Sequence, residues 1–103
     1  MQAMKMFIDT HDAGKDTFPA SISPADLRGF YEQYKAACAE EGVISLQLNV
    51  GAAAGRAFCV TLVPNAEAVA RAHEKVGLAY DSITEVRTLT PNVFDVPLAP
   101  AGA

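Results

Sequence analysis

The residues able to do chemistry in this chain are few: two histidines, His11 and His73, and two cysteines, Cys38 and Cys59. His11 ends the run "FIDTH" (7–11), two residues after Asp9. Alternate residues of a strand share a face, so Asp9 and His11 point the same way. His73 lies in "VARAHEKVG" (69–77), a helical pattern running into a glycine stop. At about 100° per residue it falls inside the apolar stripe of Ala66, Val69, Ala70 and Val76. Glu74 sits about 100° around the wheel from it. Imidazole, carboxylate and thiolate are a serviceable donor set for a late first-row divalent metal. The candidate ligands are therefore His11 and His73, with Asp9, Cys59 and Glu74 either touching the ion or orienting a group that does.

Each of these residues also has a plainer reading. A histidine in an apolar stripe is commonly a hydrogen-bonded core residue. Asp9 beside His11 can simply be an orienting pair, its carboxylate accepting a hydrogen bond from the imidazole. Cys59 on a central strand is commonly an inert buried thiol.

Two motifs fail on spacing. "HEKVG" (73–77) begins like the metalloprotease H-E-x-x-H, but Gly77 stands where the second histidine is required. "GAAAGRA" (51–57) has three residues between its glycines rather than four and lacks the Lys-Ser/Thr of a phosphate loop, so it reads as a turn. A catalytic Cys–His pair, Cys59 with His11 or His73, stays open on residue type alone.

The elements that must position these groups follow from periodicity. "MKMFIDTH" (4–11) alternates, with Met4, Met6 and Ile8 opposite Lys5, Phe7, Asp9 and His11, as a half-buried strand does. Residues 12–22 form a loop, longer than a usual connection. "SPAD" (23–26) starts a helix, with Ser23 as cap and Pro24 at its first position. That helix runs to about Glu41, its apolar arc formed by Leu27, Phe30, Tyr31, Tyr34, Ala37 and Cys38.

A strand over 43–50 alternates Ile44, Leu46, Leu48 and Val50 against Ser45, Gln47 and Asn49. After a turn at 51–55, "RAFCVTLV" (56–63) is apolar on both sides, as a central strand is. Asn65 caps a second helix that Gly77 ends. "ITEVRTLT" (83–90) reads as the last strand. The order β-α-β-β-α-β is the ferredoxin-like split βαβ pattern: an α+β sandwich with a four-stranded antiparallel sheet and two helices on one face. Strands one and three then lie side by side in the centre. By fold-level analogy, the free sheet face pairs with a second copy in a sheet-to-sheet homodimer.

Length and composition agree with one domain over residues 1–90 and a proline-containing tail over 91–103, whose "NVFDVPL" is apolar enough to dock. Of 103 residues, 50% are hydrophobic and 19% charged. A net charge of −4 with eight scattered Lys and Arg argues against nucleic acid and anionic membranes, and permits a cationic partner. No apolar run is long enough to span a bilayer, and the N-terminus lacks signal-peptide character. A cytoplasmic setting with reduced thiols is the expectation.

The runs "FIDTHDA" (7–13), "EEGV" (40–43), "GRAFCVTLVPNAEAVARAHEKVG" (55–77) and "ITEV" (83–86) resemble a small ferredoxin-like family of nickel-binding proteins, long catalogued as a domain of unknown function. Its most specific pieces are Asp9-x-His11, Phe58-Cys59, and Pro64-x-x-Glu67-Ala68-Val69-x-x-x-His73-Glu74-x-x-Gly77. The resemblance implies a homodimer of α/β sandwiches and nickel binding for at least one member, without an established reaction. This chain departs from the family pattern in two places. The loop at 12–22 is long, and the first helix, "YEQYKAACAEE", has no histidine where the family carries one.

Two alternatives stand beside metal binding. One is a cofactor-free enzyme or small-molecule-binding domain, with His11 and Asp9 as acid/base pair, loop 12–22 as lid, and Phe18, Tyr31, Tyr34 and Tyr80 as walls. The other is a metal-free dimeric interaction module with His73 in its core.

Overall fold

The computed structural model describes residues 3–91, so the expected tail lies, apart from Pro91, outside the described residues. Strand β1 (Lys5–Asp12) is followed by one turn of 3-10 helix (Ala13–Lys15) and a loop into helix α1 (Pro24–Glu40). Strands β2 (Ile44–Gly51) and β3 (Arg56–Val63) form a hairpin, and helix α2 (Ala66–Lys75) leads to strand β4 (Ser82–Val86). The sheet order is β2-β3-β1-β4, with every neighbouring pair antiparallel. This is the ferredoxin-like α+β arrangement, with β1 and β3 central.

The helices begin where their caps dictate. Ser23 accepts a hydrogen bond from the backbone N–H of Asp26, with Pro24 at the first helical position. Asn65 accepts from the backbone N–H of Ala68. Gly77, at φ 65°, takes the left-handed conformation just past α2, which a residue with a Cβ adopts at a cost. One core joins both helices to one sheet face: Tyr34 and Cys38 of α1, Val69 and Ala72 of α2, and Phe7, Cys59 and Val63 of the sheet.

Two strands differ from the periodicity. In β2 the alternation breaks at Leu46, where the register slips between Ser45 and Gln47. Ser45 pairs with buried Thr61 and hydrogen-bonds the Tyr31 hydroxyl of α1 at 2.7 Å. A bulge places one extra residue in the strand, so the residues on either side of it change faces. Leu48 packs on the core, whereas Ile44 and Leu46 are 52% and 46% exposed.

Strand β4 ends at Val86, short of the expected Thr90. Its pairing with β1 stops at Met6↔Val86. The next pair would set Lys5 against Arg87, and like charges directly opposite each other destabilise a ladder. The side of β1 and β3 away from the helices carries half-buried Met6, Ile8, Phe58, Val60 and Leu62.

Candidate metal centre

β1 alternates buried Phe7, Asp9 and His11 toward the helices. Asp9 and His11 are 0% and 1% exposed, and His73 is 0% exposed on the inner face of α2. These three meet across the helix–sheet interface. Nε2 of His11 lies 2.8 Å, and Nε2 of His73 2.9 Å, from the same carboxylate oxygen, Oδ2 of Asp9. The rings stack with centroids 5.4 Å apart and planes 24° apart. One donor atom from each of Asp9, His11 and His73 falls within 4.8 Å of the other two, a group of metal-binding dimensions.

The far side of each ring fixes its tautomer. Nδ1 of His11 donates to the carbonyl oxygens of Ala79 (2.8 Å) and Thr17 (3.1 Å). Nδ1 of His73 donates to the Val69 carbonyl at 2.8 Å. A carbonyl oxygen only accepts, so Nδ1 carries the hydrogen in both rings. That leaves Nε2 of each as the atom able to offer a lone pair, and both are aimed at Oδ2. Metal-ligating histidines are oriented in this way, by donating their second ring N–H to a carbonyl or carboxylate.

Without an ion, each Nε2–Oδ2 contact needs a proton between its two atoms. Burial raises the Asp9 pKa, but hydrogen bonds from His11 and His73 and their charges outweigh it and hold the carboxyl below its ordinary value of 3.8. Burial disfavours the charged form of His11, but the Asp9 hydrogen bond and charge, with the Ala79 and Thr17 carbonyls, raise it above 6.5. Among the described residues, the other oxygen of Asp9, Oδ1, is buried without a hydrogen-bond partner, as are the Tyr34 and Thr61 hydroxyls. A buried carboxylate oxygen without a partner is costly, and a coordinating ion offers it one.

Cys59 faces the same space, paired with Asp9 across β1 and β3. Its Sγ is 3.9 Å from His11 Nε2, and it does not join the group of three. Burial and the Asp9 charge push its pKa up, which keeps it a neutral thiol. Glu74 is on the exposed side of α2, away from the cluster. Tyr34 of α1 and Tyr80 meet His73 edge-on at 4.9 and 5.2 Å, so the first helix contributes an aromatic edge here rather than an imidazole.

The loop after β1 is anchored to the site. Thr17 Oγ1 accepts from the Asp12 backbone N–H at 2.7 Å, and the Thr17 N–H donates to the Asp12 carbonyl at 3.0 Å. Ala13 donates to the Gly55 carbonyl at 2.8 Å, and a Cβ on Gly55 would lie 3.1 Å from Ala13 Cβ. Sequence patterning did not mark Thr17, Val69 or Ala79 as parts of the site. They act through backbone carbonyls, which every residue type carries. The only hint was a β-branched hydroxyl residue soon after a strand, a turn-forming pattern.

Three comparisons bear on this geometry. A family profile described as "Nickel responsive protein SCO4226-like" matches residues 7–86. The crystal structure of SCO4226 from Streptomyces coelicolor A3(2) aligns with a TM-score of 0.71 at 29% identity, covering 82% of this chain and 99% of that one. Among curated proteins no match is found.

Proposed function

The chain belongs to the SCO4226-like nickel responsive protein family, and from that premise we propose that it binds a divalent metal ion, nickel, through Asp9, His11 and His73. The observation that carries the reading is the convergence of Nε2 of His11 and Nε2 of His73 on Asp9 Oδ2, with both Nδ1 atoms committed to carbonyls. Two imidazoles and a carboxylate suit iron, nickel, copper and zinc, and affinity order alone does not select nickel. The family description supports nickel among them.

The three residues present an electron-rich pocket in which Asp9 supplies the negative charge. A bound ion supplies a fixed positive charge that takes the place of protons at Oδ2 and Nε2. Asp9, His11 and His73 hold it from opposite layers, so binding also pins α2 to β1. Cys59 stands beside the ligands as a neutral thiol and Glu74 stays in solvent. Acid–base chemistry at His11 is less favoured, because both its ring nitrogens are already engaged.

The apolar sheet face bearing Met6, Ile8, Phe58, Val60 and Leu62 supports a sheet-to-sheet homodimer. The unpaired thiols of Cys38 and Cys59 fit a reducing, cytoplasmic setting. Among the described residues no helix is long and apolar enough to cross a membrane. Nickel titration of untagged protein tests the metal reading. Saturable binding lost in the His11→Ala/His73→Ala double variant supports it, and equal binding in both proteins rejects it. Sedimentation velocity tests the dimer, which a monomer at micromolar concentration would refute.

A further inference from the structure

An apolar cavity of about 60 Å³ adjoins the metal centre and is partly open to solvent. Its walls are His11 and Cys59 from the sheet, Phe18 and Ile22 from the loop, Leu27 and Tyr34 from α1, with Leu78 among the residues that complete it. Among the described residues, no Lys, Arg, Asp or Glu lines it. A charged ligand there would lose its water without gaining a partner. The volume is less than half of the roughly 150 Å³ that admits benzene in an apolar cavity, so an aliphatic molecule of about two carbons fits and an aromatic ring does not.

The two carbonyls that orient His11 belong to Thr17 and Ala79. Each is the immediate chain neighbour of a wall residue, Phe18 and Leu78 respectively. Whatever fills the cavity therefore bears on both peptide segments that hold the ring, and on the ring itself.

We propose that this cavity binds a short, uncharged aliphatic molecule and that its occupancy is coupled to the metal centre through the Thr17 and Ala79 carbonyls. An occupant braces Phe18 and Leu78, which fixes His11 with Nε2 toward Oδ2 of Asp9. Order already established by one ligand lowers the cost of binding the other, so the coupling is positive and reciprocal. Only the metal arm of this coupling rests on the proposed function; the cavity and the orientation of His11 exist without an ion.

The test uses ethane gas dissolved under pressure as the probe and sodium acetate as the charged control. In metal-free protein, ethane is expected to shift the methyl resonances of Ile22, Leu27, Leu48 and Leu78 saturably, and with them the Nδ1 resonance of His11. Acetate is expected to shift neither. Filling the space with Leu27→Phe, or with Ile22→Phe at the cavity rim should the first variant fold poorly, is expected to abolish the response. With ethane present, nickel affinity is expected to rise by about five-fold.

Absent methyl shifts, or equal shifts in the filled variant, would overturn the cavity as a site. Methyl shifts with an unmoved His11 Nδ1 resonance would overturn the coupling. A protein that binds no nickel yet shows both shifts would reject the proposed function while leaving the cavity and its link to His11 standing.

Discussion

Oδ2 of Asp9 lies 2.9 Å from Nε2 of His73, a residue 64 positions away, and this contact ties the central strand to the second helix inside the core. A carboxylate in that position is tolerated because two imidazoles meet it. Asp9→Asn keeps the shape and removes the charge. Its nickel affinity is expected to fall by about 100-fold or more, judged against the 10–100-fold cost of losing merely an orienting group. The metal-free protein is expected to lose about 3–5 kcal/mol, the usual cost of breaking a buried pair from one side. Calorimetric titration and urea unfolding read the two effects, and an Asp9→Asn variant with wild-type nickel affinity would remove Asp9 from the site.

The pH dependence has a definite sign. The His11 pKa is raised in the fold above 6.5, so the stability it contributes to metal-free protein is complete below 6.5 and is lost as pH rises through the folded value. The Asp9 pKa is depressed below 3.8, so its contribution is present above 3.8 and is lost as pH falls through its folded value. The urea midpoint of metal-free protein is therefore expected to decline at both ends of this range.

Nickel binding runs the opposite way from His11 protonation. Nε2 must give up its proton to ligate, so affinity is expected to climb as pH rises through the folded His11 pKa, with proton release into the buffer. Calorimetry at pH 6.5, the ordinary histidine value, in two buffers of different ionisation enthalpy reads that release directly. Identical heats in the two buffers would mean that no proton leaves on binding.

Cys59 and Glu74 are expected to be dispensable for the ion. Cys59→Ala removes a thiol 3.9 Å from His11 Nε2 without touching the three donors. It is expected to keep nickel binding and to leave the absorbance of the complex unchanged, since no thiolate-to-metal band is present to lose. Glu74→Ala, on the exposed side of α2, is expected to change stability by less than about 0.5 kcal/mol. Loss of nickel in either variant would redraw the ligand set.

Thr17 offers a test one step removed from the ligands. Thr17→Val deletes the hydroxyl that accepts from the Asp12 N–H and donates to the Asp12 carbonyl. The loop then holds its carbonyl less firmly against His11 Nδ1. Nickel affinity is expected to fall by about 10-fold, and stability by about 1 kcal/mol. An unchanged affinity with the same loss of stability would show that the loop does not orient the ring.

The three converging residues were readable from two short patterns. Asp9-x-His11 on an alternating strand fixes a shared face, and the wheel of α2 turns His73 inward. Both are properties of local periodicity, and the split βαβ order then sets the strand against the helix. What stayed hidden depended on pairing. The bulge at Leu46 arises where Tyr31 reaches Ser45, a contact that the clean alternation of residues 44–50 does not encode. The end of β4 at the pair of Met6 with Val86 belongs to the ladder with β1, and placing it requires the register first. The carbonyls of Thr17, Val69 and Ala79 could not be read because their role belongs to the backbone.

In the proposed centre Asp9, His11 and His73 together hold one divalent ion. The most direct measurement is nickel titration calorimetry on untagged protein at neutral pH, for the wild type and the His11→Ala/His73→Ala double variant, with circular dichroism confirming that both are folded. The expected result is saturable binding with a single ion per chain in the wild type, and none in the folded double variant. Equal binding by the two folded proteins, or no binding by either, would contradict it.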